Sequence, residues 1–291
     1  MTLTVRANAK INLFLDVVGK REDGYHDIVS VMQSVSLCDT LTVAQTQGDE
    51  IAFSGGGLPN DETNLVVRAA RAYFALRGKP FGVRITLDKQ IPMAAGLGGG
   101  SADAAATLKA LNALDGDRFT VEELAALGAG IGADVPFCVW GGTCLCHGIG
   151  ERISPLASRV HAALVVAIAG EGVSTPQAFG LLDRRYQDYA SFTSEATPTA
   201  LINAMQNGDL FGTVSALFNR FEEVTEPLRP AVSELKAMLM KQGALGVLMS
   251  GSGPAVFGIF PDAAAAKRAA DQLKSVGVRA YDCHTVESDK I

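Results

Sequence analysis

IPMAAGLGGGSADAAATLKALNAL, residues 91–114, places four glycines (Gly96, Gly98, Gly99 and Gly100) directly ahead of an alanine-rich run. Glycine loses more conformational freedom on ordering than any other residue. A cluster of them therefore marks backbone conformations, or a close approach of a ligand, that side chains would forbid. The preceding VRITLDKQIP reads as a strand and residues 102–114 as a helix. Strand, glycine-rich turn and helix start together make an anion site, because unpaired backbone N–H groups and the positive end of the helix dipole converge there. Two standard phosphate fingerprints are missing. No Gly-Lys-Ser/Thr follows for a Walker loop, and dinucleotide spacing counted from Gly96 puts Ser101 where a third glycine belongs. On these residues alone, phosphate binding and a plain tight helix entry both stand.

Outward from the loop, strand and helix patterns alternate irregularly. Val5, Ala7, Ala9, Ile11, Leu13, Leu15 and Val17 hold odd positions while Asn8, Lys10, Asn12 and Asp16 hold even ones. That is the period of a half-buried strand, with Lys10 and Asn12 on its polar face. GKREDG (residues 19–24) is a turn with Tyr25 and His26 at its exit, after which an extended apolar pattern resumes. In TNLVVRAARAYFALRG, Leu65, Ala69, Tyr73 and Leu76 recur at helical spacing and Gly78 stands at the stop. Thr120 and Glu123 form a capping box opening a further helix, followed by GADVPF and a short apolar stretch.

From about residue 160 the pattern restarts with the strand AALVVAIAG and a polar, aromatic segment. Helices are expected over 197–206, 210–221, up to KQGA and over 262–275, with strands LGVLMS, AVFGIF and VRAYDCHTV. Strands and helices without a regular βαβ repeat imply an α+β architecture. The 291 residues predict two domains, 1–155 and 156–291.

A net charge of −6 with no Lys/Arg-rich run argues against nucleic acid or an anionic membrane as partner, leaving a small molecule. No leader-like start and no apolar run near ~18 residues is present, so the expected compartment is the cytoplasm. Five scattered cysteines cannot make a disulfide framework. The CLCH grouping (144–147) lacks the second ligand pair of a structural zinc site, so buried reduced thiols are the better reading.

GLGGGS, preceded by Pro92 and followed by an alanine-rich helix, resembles the phosphate loop of the GHMP small-molecule kinases. AKINLFLDVVGKREDGYH, the loop, GADVPF and MSGSGPAVFG follow in order between residues 10 and 257. The Gly-Tyr-His element with its AKINL partner is similar to the branch of that family acting on a cytidine diphosphate-linked alcohol. The resemblance implies a two-domain GHMP kinase fold with the active site in the cleft between domains. It implies ATP as donor, with phosphates at Pro92, Gly96, Leu97, Gly98, Gly99, Gly100 and Ser101, and with Asn64 and Lys89 on the adenosine side. Asp134 would be the catalytic base and Lys10 its charge partner, while Asn12 places the acceptor, the 2-hydroxyl of a methylerythritol moiety on the non-mevalonate route to isoprenoids. Tyr25 and Phe179 would sandwich the cytosine and His26 read its edge, with Ile149 and Thr175 nearby and Ser250, Gly251, Ser252 and Gly253 as a supporting loop. Mg²⁺ is expected with ATP, although no acidic residue is an evident ligand. The oligomeric state is left open, a homodimer included.

Such chemistry suits these residue types. A carboxylate can take the proton of an attacking hydroxyl, and a nearby ammonium keeps it ionised and offsets charge on the transferred group. Each residue also has a structural reading. Asp134 before Val-Pro is a good helix N-cap; Lys10 suits an exposed strand face; Tyr25 and His26 suit packing beside a turn, and Phe179 a core. Ala102 stands where this branch usually has a second loop serine, and AIAGEG lacks its proline-rich entry. A GHMP kinase with another acceptor, and a catalytically silent nucleotide-binding module, are the competing readings.

Overall fold

The computed structural model describes residues 1–186 and 196–288. In chain order the elements are β1 (Thr2–Lys20), β2 (His26–Thr46), β3 (Ile51–Gly55), α1 (Leu65–Arg77), β4 (Gly82–Asp88), α2 (Gly99–Leu114), α3 (Val121–Ala129), α4 (Val135–Trp140), β5 (Thr143–Gly148) and β6 (Arg152–Leu156). They continue with β7 (Ala163–Ile168), α5 (Thr175–Arg185), α6 (Thr199–Asn207), α7 (Leu210–Ser215), β8 (Phe218–Asn219), α8 (Glu222–Thr225), α9 (Pro230–Lys241), β9 (Gly246–Met249), β10 (Ala255–Phe260), α10 (Ala263–Ser275) and β11 (Ala280–His284). The architecture is α+β. Two compact units emerge, each assembled from separated stretches. Residues 1–9, 38–93 and 98–141 form the first; residues 10–37, 94–97 and the described residues from 142 onward form the second.

In the first unit β3 runs parallel to β4, in register Ile51 with Val83, and β4 is antiparallel to the later half of β2, Thr40 opposite Asp88. Leu41, Val43 and Ile85 from the strands meet Tyr73, Phe74, Leu108, Leu111 and Val135 from the helices in one core. The alanines of α2 keep its surface flat enough for close packing. In α1 the buried stripe is Val66, Val67, Ala69, Ala70, Tyr73 and Phe74, while Leu76 is exposed. The expected Leu65–Leu76 stripe is therefore rotated, because three adjacent pairs widen the apolar arc beyond a single i, i+4 row. Helix α2 starts at Gly99, three residues before the expected position. Gly98, at φ 66°, serves as its N-cap and its carbonyl accepts the first helical bond from Ala102 N at 2.8 Å. The capping box of α3 is present, with Glu123 N to Thr120 Oγ1 at 3.2 Å and Thr120 N to Glu123 Oε2 at 2.8 Å.

In the second unit β1 runs parallel to β8 through Phe14–Phe218, the early half of β2 is antiparallel to β5, and β5 forms a hairpin with β6. A second, antiparallel sheet has the order β11-β7-β10-β9. Val165, Ala167, Val256 and Phe260 from it pack with Leu235 and Leu239 of α9 and with Ala269 and Leu273 of α10. Cys144 and Cys146 are buried on β5, and burial pushes the Cys144 thiol up to about 12.

Three expectations change here. The helix expected over 210–221 ends at Ser215, because Phe218 and Asn219 pair with β1 instead. Helix α5 occupies part of the segment read as merely polar and aromatic, whose residues 187–195 lie outside those described. Its start is written in the chain: Ser174 accepts a bond from Gln177 N, and Pro176 sits in the first turn. Finally, β1 is buried on both faces from Ala9 to Val17, not on alternate positions, so Lys10, Asn12 and Asp16 are interior. Among the described residues no helix is long and apolar enough to cross a membrane.

Candidate active site

A charged residue in a strand interior is costly unless its bonds are supplied, and β1 supplies them within two residues. Lys10 is 5% exposed, and its Nζ donates to Asn12 Oδ1 at 2.8 Å. Asn12 Oδ1 also accepts from Gly251 N at 3.0 Å, and its Nδ2 donates to Ser30 Oγ at 2.9 Å. Ser30 in turn donates to Phe14 O at 2.7 Å. This chain of bonds orients an ammonium and ties it to the 250–253 loop. The same loop meets the glycine segment. Ser250 Oγ donates to Gly96 O at 2.9 Å, Ala255 N to Ala95 O at 3.1 Å, and Lys10 N to Leu97 O at 2.9 Å. Gly96, at φ 79°, lies so close that an added Cβ would stand under 3.0 Å from Ser250 O.

Left-handed residues alternate along the loop at Ala94 (φ 52°), Gly96 and Gly98 (φ 66°). Such alternation turns neighbouring N–H groups toward one concavity, the geometry of an anion nest. Gly99, Gly100 and Ser101 form the first turn of α2, where helical N–H groups lack internal partners. Pro92 precedes them, half-buried.

Lys89 lies in a tighter setting than an adenosine-side residue requires. Its Nζ bonds Asp39 and also Asp103 Oδ2 at 2.7 Å, while Asp39 Oδ1 accepts from Gln90 N at 2.5 Å and Ile91 N at 2.8 Å. Two buried carboxylates share one ammonium. Asp39 carries most of the bonds, and Asp103 Oδ1 is buried without a hydrogen-bond partner. Burial pushes the Asp103 carboxyl up to about 7, opposed by Lys89 and assisted by Asp39. The cluster clamps residues 89–91 to the start of α2. Asn64, also expected near adenosine, is the N-cap of α1, accepting from Val66 N at 2.9 Å and donating to Pro59 O at 2.9 Å.

Asp134 occupies the N-cap position of α4, yet its side chain makes no capping hydrogen bond, and its φ/ψ of −85°, −9° is helical, not extended. The N-cap place is thus occupied without the side-chain bond that usually accompanies it. Asp134 belongs to the first unit and Lys10 to the second.

His26 opens β2 and is buried. Its ring lies flat on Phe179, centroids 4.4 Å apart at 11°, and Phe179 meets Phe221 edge-on at 5.0 Å. His26 Nε2 is 2.6 Å from Asp183 Oδ1, and Lys20 Nζ is 2.6 Å from Asp183 Oδ2. Tyr25, one residue earlier, is 60% exposed. Thr175 Oγ1 lies 3.1 Å from Ser252 Oγ, joining α5 to the loop, and Ile149 N donates to Glu151 Oε2 at 2.7 Å in the β5–β6 turn.

Several residues of this neighbourhood escaped the sequence reading. Asn219 Nδ2 bonds Met249 O at 2.7 Å and Gly251 O at 2.9 Å, holding the loop from beneath. Arg220 Nε bonds buried Asp16 Oδ1 at 2.8 Å, and its Nη1 bonds Glu223 Oε1 at 2.6 Å. Burial works against that guanidinium's charge, but Asp16 and Glu223 raise its pKa. The one signal available was Asp16 among apolar neighbours; nothing local marks Asn219.

Residues 64–142 match the GHMP kinases N terminal domain and residues 199–279 match the GHMP kinases C terminal. With the glycine nest and the interior lysine, these two segments define a GHMP kinase, a phosphotransferase using ATP. A 4-diphosphocytidyl-2-C-methyl-D-erythritol kinase of Exiguobacterium sibiricum is 45% identical over 262 residues, 89% of each chain. One of Gloeobacter violaceus is 41% identical over 289 residues, covering 99% of this chain and 95% of its own. A crystal structure of 4-(cytidine 5'-diphospho)-2C-methyl-D-erythritol kinase superposes with a TM-score of 0.83 at 36% identity, covering 97% of this chain and 99% of the other. Homoserine kinase from Cytophaga hutchinsonii, at 20% identity and a TM-score of 0.74, shares the fold. The chain belongs to the 4-diphosphocytidyl-2-C-methyl-D-erythritol kinase family.

Proposed function

We propose that this kinase transfers the γ-phosphoryl group of ATP to the 2-hydroxyl of 4-diphosphocytidyl-2-C-methyl-D-erythritol, in the cytoplasm, on the non-mevalonate route to isoprenoid precursors. The observation that carries the reading is the interior ammonium of Lys10, oriented by Asn12 and by a loop that also holds Gly96. Asp134 takes or orients the hydroxyl proton, the role a carboxylate plays toward an attacking alcohol. Lys10 serves as a cation that offsets transition-state charge. Backbone N–H groups of residues 96–101 hold phosphate, so the work is chiefly positioning and electrostatics. His26 and Phe179, stacked on one another, lie on the cytosine side with Tyr25. Lys89 and Asn64 act on adenosine by shaping the backbone around it.

Among the described residues no three His, Cys, Asp or Glu side chains come together for Mg²⁺, and Asp39 and Asp103 are engaged with Lys89. It enters with ATP, held by phosphates and water. The two matched family segments fall on either side of residue 155, whereas the compact units are discontinuous, residues 10–37 and 94–97 joining those from 142 onward. With a net charge of −6, the partner is the small molecule and not nucleic acid; a homodimer is compatible and is read by sedimentation.

The test is ADP release with ATP and Mg²⁺ on this alcohol, beside methylerythritol phosphate, mevalonate and homoserine. Turnover confined to the cytidylyl compound is expected, with kcat in Asp134→Asn down at least ~100-fold and KM within about tenfold. Turnover only on another alcohol would keep the fold and replace the acceptor. Unchanged turnover in the variant would remove Asp134 from the chemistry.

A further inference from the structure

Lys10 and Asn12 both stand on β1, and the bonds that fix their polar ends lead back to the same strand. β8 pairs with β1 in parallel, Asn219 opposite Leu15, and Arg220 N donates to Leu15 O at 2.8 Å, so β1 holds the backbone of Asn219. The Asn219 side chain is buried and reaches the 249–253 loop. Its Nδ2 donates to Met249 O at 2.7 Å and to Gly251 O at 2.9 Å, while its Oδ1 accepts from Phe221 N at 3.0 Å. Gly251 N then donates to Asn12 Oδ1 at 3.0 Å, the oxygen that also accepts from Lys10 Nζ at 2.8 Å. A Cβ added to Gly251 would lie 3.7 Å from that Nζ. The ammonium therefore rests against the residue that Asn219 holds.

These bonds require a primary amide. Two carbonyl oxygens take donors from one end of the side chain and an N–H finds an acceptor at the other, and asparagine is the shorter of the two side chains that carry this set. The reversed amide would put oxygen against two carbonyl oxygens, which assigns Oδ1 and Nδ2 as given. A carboxylate of the same shape would keep the bond from Phe221 N but face both carbonyls with a charged acceptor. The loop needs such a tie. Gly251 at φ 56° and Gly253 at φ 83° leave it many conformations, and bonding two carbonyls two residues apart restricts them.

We propose that Asn219 is a positioning residue for the phosphoryl transfer: by pinning Met249 O and Gly251 O it holds the N–H that fixes Asn12 Oδ1, and through Asn12 it sets the place of the Lys10 ammonium. This rests on the reading that Lys10 offsets charge on the transferred group, and the experiment separates the two.

Steady-state turnover of ATP with 4-diphosphocytidyl-2-C-methyl-D-erythritol is measured for wild type, Asn219→Asp, Asn219→Ala, Lys10→Met and Asn219→Asp/Lys10→Met, with a melting curve for each. In Asn219→Asp, kcat falls about tenfold while KM for both substrates stays within about threefold, because a displaced ammonium is missed in the transition state and not in the ground state. Lys10→Met lowers kcat at least ~100-fold. In that background Asn219→Asp costs at most about twofold more, since the group it would displace is already gone. A merely structural role would instead lower kcat by the same factor in both backgrounds. A further loss of about fivefold or more in the Lys10→Met background overturns the assignment and leaves Lys10 its role. So does unchanged kcat in both Asn219 variants, or a rise in KM alone. Unchanged kcat in Lys10→Met removes the reading of Lys10 and the proposal with it. Should Asn219→Asp not fold, Asn219→Ala carries the same comparison; should Lys10→Met fall below detection, Lys10→Arg, which moves the charge without removing it, is the second background.

Discussion

Gly96→Ala tests whether the glycine loop is held by the 250–253 loop or merely permits a turn. Gly96 sits at φ 79°, and a Cβ there would stand under 3.0 Å from Ser250 O, whereas ordinary contact begins at 3.4 Å. Left-handed backbone costs a non-glycine residue about 1–2 kcal/mol. Relieving the clash must also move a segment that makes three hydrogen bonds: Ser250 Oγ to Gly96 O at 2.9 Å, Lys10 N to Leu97 O at 2.9 Å and Ala255 N to Ala95 O at 3.1 Å. At about 1 kcal/mol each, losing one or two brings the total to roughly 2–4 kcal/mol. Gly78→Ala is the matched control, because Gly78 has φ 83° at the end of α1 with nothing within 4 Å of an added Cβ. It bears only the conformational cost, about 1 kcal/mol. Urea unfolding of both variants reads the difference, and ATP titration shows whether the displaced loop also loses the donor, expected to weaken at least tenfold. Equal destabilisation of the two variants, or unchanged ATP affinity in Gly96→Ala, would refute the argument.

Two further outcomes follow from buried charge. Asp103 has its carboxyl raised to about 7, chiefly by burial, so the neutral form is favoured in the folded protein. That contribution is complete below the unfolded carboxyl's ~4 and is lost as pH rises through about 7. Asp103→Asn stays neutral, so its stability relative to wild type should increase between pH 5 and 8; parallel melting curves across that window would show that Asp103 does not titrate there. Asp16→Ala removes the carboxylate bonded to the buried guanidinium of Arg220, and should destabilise by about 3 kcal/mol in urea unfolding. The double variant Asp16→Leu/Arg220→Met should recover much of the loss, and no recovery would mean that packing rather than charge held the site.

Short-range chemistry was legible along the chain wherever a pattern lies within a few residues. The capping box at Thr120, the strands around GSGP, the glycine loop ahead of α2 and the ordered set of motifs that marks a GHMP kinase are all of this kind. What failed was reading beyond one element. The alternation in β1 suggested a solvated face, but Asn12, Ser30 and the loop at Gly251 supply the bonds that let Lys10 lie inside. The apolar run through Phe218 suggested helix, but pairing with β1 outweighed a local propensity of a few tenths of a kcal/mol per residue. Residue types and motifs, which the sequence alone determined, say that this chain handles ATP phosphates and which side chains could act. Only the tertiary structure decided that Lys89 is committed to Asp39 and Asp103, that Asn64 caps a helix, and that Asp183 holds His26 across 157 positions. Burial and long-range partners set the charge and orientation of a polar group, and neither is a property of the residue's own neighbourhood in the chain.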